Sequence, residues 1–180
     1  MRETKIHDKT FREMITEEVI AERIKQLALQ INNDLSGKDV VFIGILNGAF
    51  LFAADLFRQI DFPARISFVK LASYKGTSSS GTIKELIGWN EDINSKTVVV
   101  IEDIVDTGNT LERIVDELVI RKAAEIKIAA LLYKPDAYKY KETISLDYIG
   151  FEIPNDFVVG FGLDYDGLGR NLPSVYTLIQ

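Results

Sequence analysis

The chain has 180 residues, which is enough for one domain with a substantial hydrophobic core and too few for two full-sized domains. It contains no cysteine, which excludes disulfide bonds and zinc-thiolate sites and allows a reducing compartment. The formal net charge of -6 argues against a nucleic-acid-binding protein that relies on a broad positive field, although a small anionic substrate could still bind to local groups.

The first residues of the chain, 1–9, are polar and charged, and no apolar run that could act as a signal sequence follows them. No apolar stretch reaches the ~18 residues that a membrane-spanning helix needs. We therefore predict a cytoplasmic location and no membrane partner. Because no internal repeat and no linker rich in Pro or Ser is visible, we expect a single domain over residues 1–180.

The first predicted helix covers residues 16–35, where apolar residues recur at helical spacing. Thr16 is a suitable N-cap, and Glu17 and Glu18 fall in the first turn, where the helix dipole favours acids. Gly37 can end the helix, since glycine is common just past a helix C-terminus.

Beyond this helix, short apolar runs rich in β-branched residues alternate with helical segments. Such runs are typical of strands buried on both faces, and their alternation with helices predicts βαβ units and a mainly parallel sheet flanked by helices. The predicted strands are residues 40–46, 64–73, 98–101 and 126–133, and the predicted helices among them are 49–60 and 110–122.

Two regions depart from this alternation. Residues 74–81 are small and polar, so they cannot bury surface and are expected to form a mobile loop. Three short strand-like pieces, residues 148–153, 157–163 and 175–179, follow the last helix-strand unit. We interpret residues from about 146 to 180, together with the N-terminal segment, as a small cap on a core of about residues 36–145.

The most informative stretch begins where the predicted strand 98–101 runs directly into Glu102 and Asp103. In an open parallel sheet, ligands bind outside the carboxyl ends of the strands. Two adjacent carboxylates would repel a polyphosphate, but they suit a diol, whose hydroxyls they can accept, and they can help to hold Mg2+.

The next segment, which we call the phosphate cradle, has the composition of an anion site. It consists of Asp106, Thr107, Gly108, Asn109 and Thr110. Two hydroxyls, a glycine that allows close backbone approach and the N–H groups of a helix start suit one phosphate monoester, and the spacing of a Walker loop is absent. By itself, such a turn is equally typical of a capped helix start. A phosphate beside a diol describes a ribose 5-phosphate.

The complete stretch 98–111 closely resembles the signature of the type I phosphoribosyltransferases, which bind 5-phosphoribosyl-1-pyrophosphate (PRPP). From about residue 40 to residue 173, the chain is similar to the hypoxanthine (6-oxopurine) phosphoribosyltransferases. The resemblance implies the type I fold, an α/β structure with a mainly parallel central sheet and a small hood built from terminal segments. It also implies transfer of the 5-phosphoribosyl group to hypoxanthine and guanine, giving IMP or GMP and pyrophosphate, while xanthine stays open as an acceptor.

The resemblance assigns the binding of PRPP to three parts of the chain. The cradle would anchor the 5-phosphate, and Glu102 and Asp103 would hold the ribose hydroxyls. Backbone amides of Leu46, Asn47 and Gly48, which we call the pyrophosphate loop, would meet the pyrophosphate, and the Leu46–Asn47 peptide is expected to be cis. Arg170 would also contact the pyrophosphate, because its planar fork can bind phosphate oxygens bidentately. Some relatives have lysine at the positions of Asn47 and Asn109.

The resemblance also implies the residues that act on the purine. Lys134 would donate to the 6-oxo group, and a lysine has no acceptor for a 6-amino group. Phe157 would stack on the base, Ile104 would pack against its other face, and Val158 would use its backbone groups on the purine edge. Asp106 would lie near N7 and act as a general base or hydrogen-bond acceptor.

The remaining implied features are a metal and a closing loop. Asp164 matches the family's direct Mg2+ ligand, which Glu102 and Asp103 would assist. Ser73 and Tyr74 resemble the head of the catalytic loop, whose closure over the pyrophosphate would exclude water.

Alternatives from other functional classes stay open at this point. One is an RNA-binding regulator with a PRPP-binding fold, and another is a non-catalytic nucleotide-binding subunit. The family also suggests a homodimer or a homotetramer. Outside the motifs, we expect His7 to be exposed and without a catalytic role, and Trp89 to lie in the core or in a subunit interface.

Overall fold

The computed structural model describes residues 2–72 and 84–179, which form two β-sheets and three α-helices. The elements are β1 Glu3–Ile6, β2 Lys9–Ile15, α1 Glu17–Leu35, β3 Val40–Ile45, α2 Phe50–Phe57, β4 Arg65–Ala72, β5 Lys84–Ile87, β6 Thr97–Val105, α3 Asn109–Ile120, β7 Glu125–Tyr133, β8 Tyr148–Glu152, β9 Val158–Val159 and β10 Val175–Leu178.

The larger sheet confirms the predicted parallel core. Its strand order is β5-β4-β3-β6-β7-β8, and the five strands from β4 to β8 in this order are parallel, whereas β5 pairs antiparallel with β4. Every residue of β3 is buried, as expected for a strand covered on both faces. Helices α1 and α2 pack on one face, and α3 packs on the other.

Helix α1 begins and ends where the sequence predicts. Thr16 is its N-cap, and Gly37 just past its end has a positive φ of 81°, a conformation that glycine adopts at little cost. The Thr16 side chain, however, makes no capping hydrogen bond. Instead, the hydroxyl of Ser174 accepts the Glu17 N–H at 3.1 Å, which joins the start of α1 to the C-terminal segment.

The smaller sheet is built from both terminal segments, as the predicted hood requires. Its strand order is β1-β2-β10-β9, all antiparallel, and Phe11, Val159 and Tyr176 lie in a hydrophobic cluster of its own. Strands β1, β2 and β5 were not predicted from the sequence. No helix among the described residues is long and apolar enough to cross a membrane.

Two expected boundaries are wrong. The piece near residue 148 is β8, which extends the larger sheet beside β7 instead of joining the cap. The strand predicted at 98–101 is the nine-residue β6, which continues to Val105 because its pairing with β7 extends to the Val105–Tyr133 pair. Glu102 and Asp103 therefore lie inside β6 and not after it.

Candidate active site

The candidate site lies at the carboxyl edge of the larger sheet. Strands β3, β6 and β7 are parallel neighbours, so the segments that follow them meet at one edge. The pyrophosphate loop follows β3, the cradle follows β6, and Lys134 follows β7. One cleft is lined by Leu46, Gly48, Glu102, Asp103, Thr107, Asn109, Thr110, Asp164 and Arg170.

Glu102 and Asp103 form a buried pair of carboxyl groups in this cleft. Only 9% of Glu102 and 8% of Asp103 is exposed. Burial, reinforced by the charge of Asp103, raises the pKa of Glu102 well above its usual range, and burial also raises the pKa of Asp103. The hydrogen bond with Glu102 and a 2.9 Å bond from the Ile104 N–H favour the ionised form of Asp103. The pair as a whole therefore holds a proton more tightly than two exposed carboxyl groups would.

One oxygen of this pair lacks a partner. Glu102 Oε2 is buried and accepts no hydrogen bond within the described residues. Leaving a buried acceptor unpaired is unfavourable. The cleft is thus lined by two carboxyl groups, one of which has an unused acceptor, and such a pair suits a ligand with hydroxyl groups.

Two glycines let the pyrophosphate loop pack closely against the acid pair and against the turn at Gly162. A Cβ on Gly48 would lie 1.5 Å from Asp103 Oδ2, and a Cβ on Gly162 would lie 2.0 Å from the Gly48 carbonyl oxygen. The Leu46–Asn47 peptide is cis, as expected. The side chain of Asn47 accepts a 3.1 Å hydrogen bond from Lys70 Nζ.

The cradle contains the N-terminus of α3, as its composition predicts. Gly108 is the N-cap of α3, with φ of 85°, and Asn109 and Thr110 are the first exposed residues of the helix. A Cβ on Gly108 would lie 2.4 Å from Tyr138 Cε2, so both the backbone conformation and the packing require glycine here. Thr107 precedes the turn and lines the cleft.

Lys134 and Asp106, assigned to the purine, are in direct contact. Because Val105 pairs with Tyr133, the next residues of the two strands lie side by side. Lys134 Nζ donates to Asp106 Oδ2 at 3.0 Å; the lysine side chain is 8% exposed and the aspartate side chain 46% exposed. Ile104, which is partly buried, lines the adjoining pocket with Asp106 and the cradle. The pair thus places a cation against the first residue of the cradle.

Val158, also assigned to the purine, begins β9 of the smaller sheet, and Phe157 directly precedes it; neither lines the cleft defined above. Phe157 is 44% exposed, and its ring lies 5.8 Å from the ring of Tyr165 and 6.2 Å from that of Phe11. Val158 is buried in β9. Tyr165, which the sequence analysis missed, is held by a 2.8 Å hydrogen bond from its hydroxyl to Asp8.

Asp164 and Arg170 form an ion pair at the cleft. Arg170 Nη2 lies 2.6 Å from Asp164 Oδ1, and Nη1 donates to the Gly162 carbonyl at 2.6 Å. The other Asp164 oxygen accepts the Gly167 N–H at 2.7 Å. These bonds fix both side chains at the turn that follows β9.

The three carboxylates assigned to Mg2+ do not form a protein-built metal cage. Glu102, Asp103 and Asp164 line the same cleft, but within residues 2–72 and 84–179 no three acidic, His or Cys side chains are grouped to hold an ion. Mg2+ usually keeps several waters and binds one or two carboxylates together with substrate phosphates. The residues present therefore fit a Mg2+ shared with a bound phosphate ligand and do not fit one held by the protein alone.

Three further expectations have different outcomes. Ser73 and Tyr74 lie outside the described residues. His7 is exposed, as predicted. Trp89 is partly buried against the cluster that includes α3, and the guanidinium of Arg121 lies 5.2 Å from its ring centroid.

Arg113 is a cleft residue that sequence reasoning missed. It lies on α3 four residues after Asn109, a spacing that places two side chains on the same helix face. That spacing was the available signal, and it adds a second arginine to the cleft beside Arg170.

Comparison with known proteins places these features in a family. A model of the phosphoribosyl transferase domain matches residues 12–166. The hypoxanthine-guanine phosphoribosyltransferase of Aquifex aeolicus is 40% identical over 175 residues, which cover 96% of this chain and 97% of the relative. The enzyme of that name from Staphylococcus aureus is 42% identical over 166 residues, covering 92% of each.

Comparison with solved structures leads to the same family. The crystal structure of a hypoxanthine phosphoribosyltransferase from Staphylococcus aureus matches with a TM-score of 0.85 and 41% identity, covering 93% of this chain and 91% of that one. The predicted type I fold is confirmed. The chain belongs to the phosphoribosyl transferase family and, within it, to the hypoxanthine-guanine phosphoribosyltransferases.

Proposed function

We propose that this chain, a purine-salvage phosphoribosyltransferase by family, transfers the 5-phosphoribosyl group from PRPP to N9 of hypoxanthine and guanine. The products are IMP or GMP and pyrophosphate. The observation that carries the proposal is the contact between Lys134 and Asp106 beside the cradle. It sets a donor for the 6-oxo group and an acceptor for N7 next to a phosphate site.

PRPP would bind along the cleft in an extended manner. The cradle residues Thr107, Gly108, Asn109 and Thr110 would hold the 5-phosphate at the start of α3. The unpaired oxygen of Glu102 and the carboxylate of Asp103 would accept the ribose hydroxyls. Binding energy from these remote groups would position the reacting carbon.

The leaving group would be held at the opposite side of the cleft. Backbone amides of Leu46, Asn47 and Gly48 and the guanidinium of Arg170 would face the pyrophosphate. As the bond between C1 and the pyrophosphate oxygen breaks, negative charge develops on that oxygen, and fixed donors stabilise it. Arg170 would have to exchange part of its ion pair with Asp164 for the pyrophosphate.

The purine would complete the displacement. Its N9 lone pair forms the new bond to C1, and a proton on N7 passes to Asp106. Lys134 would then donate to O6 of the base. Phe157 and Ile104 would cover the faces of the base and Val158 would bind its edge; for Phe157 this requires the hood to contribute to the purine site.

Mg2+ is the cofactor that these residues suit. Asp164 would bind it directly, with Glu102 and Asp103 assisting through the ribose hydroxyls that they hold. When bound together with PRPP, the ion would neutralise charge on the pyrophosphate. We retain Ser73 and Tyr74 as the head of a loop that closes over the pyrophosphate.

A steady-state assay with PRPP, Mg2+ and each purine in turn tests the proposal. We expect turnover of hypoxanthine and guanine and none of adenine, because Lys134 cannot accept from a 6-amino group. Xanthine in the same assay decides whether that base is also an acceptor. Absence of turnover with every 6-oxopurine would reject the proposed activity.

Further predictions concern the cellular location, the oligomeric state and the partners of the enzyme. We infer a cytoplasmic enzyme that forms a homodimer or homotetramer and has no nucleic-acid partner. Size-exclusion chromatography with light scattering measures the oligomeric state. An electrophoretic shift assay with RNA tests the alternative of an RNA-binding regulator, which the net charge of -6 disfavours.

A further inference from the structure

A short segment after Lys134, residues 138–140, contacts three consecutive cradle residues. The Lys139 N–H donates to the Thr107 carbonyl at 3.2 Å. The rings of Tyr138 and Tyr140 lie against Gly108, where an added Cβ would come within 2.4 and 2.9 Å of them. The segment therefore packs directly against the cradle.

The hydroxyl of Tyr140 also contacts two residues in the first turn of α3. Its Oη lies 3.0 Å from Asn109 Oδ1 and 2.8 Å from Glu112 Oε2. A hydroxyl has one hydrogen, and the shorter contact, with a carboxylate, is the charge-assisted one. Oη can satisfy both contacts when it donates to Glu112 and the amide of Asn109 is rotated by 180°, so that the NH2 group takes the place of Oδ1 and donates to Oη.

The position of the Glu112 carboxylate, which Tyr140 contacts, affects phosphate binding. It is an acid in the first turn of α3, the same turn whose N–H groups form the cradle. A free carboxylate there would repel a phosphate dianion. The hydrogen bond from Tyr140 holds that carboxylate in place and keeps Asn109 oriented.

We propose that Tyr140 is a positioning residue for the 5-phosphate: its hydroxyl fixes Asn109 and restrains the charge of Glu112 at the mouth of the cradle. This inference rests on the proposed function, because the phosphate in question is that of PRPP and of the nucleotide product. Tyr140 itself touches neither the purine nor the reacting carbon in this scheme.

The test is Tyr140→Phe, which keeps the ring against Gly108 and removes only the hydroxyl. We expect the KM for PRPP and the Kd for IMP to rise about fivefold to tenfold, the size of effect expected for the loss of one ordinary hydrogen bond, with kcat changed by less than about twofold. The inhibition constant of inosine, which lacks the phosphate, should not change.

Tyr148→Phe is the matched control. It also removes a tyrosine-to-carboxylate hydrogen bond, the 3.1 Å contact with Asp34, but at a place on β8 and α1 outside the cradle. We expect it to lower the free energy of unfolding and to leave the KM for PRPP unchanged. A second variant, Tyr140→Phe with Glu112→Gln, removes the released charge and should recover most of the lost PRPP affinity.

Three results would overturn the inference. They are an unchanged IMP affinity in Tyr140→Phe, an equal loss of inosine and IMP binding, and no recovery on adding Glu112→Gln. If the wild-type chain binds IMP but turns over no purine, the proposed activity fails, while the comparison of IMP with inosine still decides the role of Tyr140.

Discussion

At the scale of single residues, the contact between Lys134 and Asp106 links the fold to the chemistry. Lys134 is buried, and a buried ammonium group needs a partner. Without a purine, that partner is Asp106, at 3.0 Å. A 6-oxopurine offers an acceptor to the lysine and a proton to the aspartate, so binding would exchange one satisfied arrangement for another.

Asp106→Asn tests the proton acceptor. Asparagine keeps the size of the side chain and an oxygen for Lys134, but it cannot take the proton from N7. We expect kcat to fall at least about 100-fold, as for loss of a general base, with the KM for PRPP changed by less than about threefold. The control is Asp136→Asn, at an exposed acid nearby. An unchanged kcat would remove Asp106 from the mechanism.

Lys134→Ala tests the purine contact. Because the lysine is assigned to O6 and not to PRPP, the KM for hypoxanthine should rise about 10-fold or more, while the KM for PRPP stays near its wild-type value. Lys141→Ala, at an exposed lysine in the following segment, serves as the control. If Lys134→Ala leaves the KM for hypoxanthine unaltered, the assignment is wrong.

At the scale of elements, the site depends on loops that fit against one another without side chains between them. The pyrophosphate loop presses its Gly48 against Asp103 of β6, and the turn at Gly162 presses against Gly48. The segment after β7 presses against Gly108 in the same way. Small residues at these points let three chain segments from different strands meet around one cleft.

Gly48→Ala tests this interlock. The added methyl group would lie 1.5 Å from Asp103 Oδ2, so the acid pair or the loop must move. We expect kcat/KM for PRPP to fall at least about 10-fold and the free energy of unfolding to fall by about 1–3 kcal/mol, as for overpacking.

Gly37→Ala is the control for this variant. It meets nothing within 4 Å, although its φ of +81° disfavours a side chain. It should therefore lower the free energy of unfolding by about 1 kcal/mol and leave kcat/KM for PRPP intact. Full activity of Gly48→Ala would show that the close fit is not required.

At the scale of the whole molecule, the two terminal segments contact each other and the start of α1. The terminal segments pair to make the smaller sheet, and Ser174 joins it to the start of α1. The larger sheet carries the proposed catalytic edge, while the hood carries Phe157 and Val158. If these two residues bind the base as proposed, purine binding depends on the position of the hood.

The stability of the fold should fall in alkaline solution. Burial raises the pKa of Tyr138 to about 12 from 10.0, and burial also raises the pKa of Tyr148. Above pH 10 the unfolded chain loses these phenol protons while the folded protein keeps them, so the stabilisation is complete below pH 10 and is lost as the pH rises towards 12.

Urea unfolding between pH 8 and 11.5 checks this alkaline loss. Tyr138→Phe should reduce the loss of unfolding free energy over this range by at most about 2 kcal/mol, while Tyr148 keeps part of the pH dependence. An unchanged slope in Tyr138→Phe would contradict the role given to that phenol.

Local sequence patterns were sufficient for much of this protein. Some features depend only on residues near one another in the chain, where hydrophobic spacing and glycine conformations act directly. They are the helical period of α1, the β-branched runs of β3, β6 and β7, and the cradle. The match to the type I signature added the family, which the comparisons confirm.

Long-range contacts decided the rest, because pairing and burial depend on residues far apart in sequence. β8 looked like part of the cap, and only its pairing with β7 places it in the larger sheet. The burial of Glu102, the contact of Asp106 with Lys134, and the contacts of Tyr140 with Asn109 and Glu112 likewise come from neighbouring strand ends. The sequence by itself determined most of the groups proposed for the site; the tertiary structure added Arg113 and decided which groups touch, since strand order and register bring distant residues together.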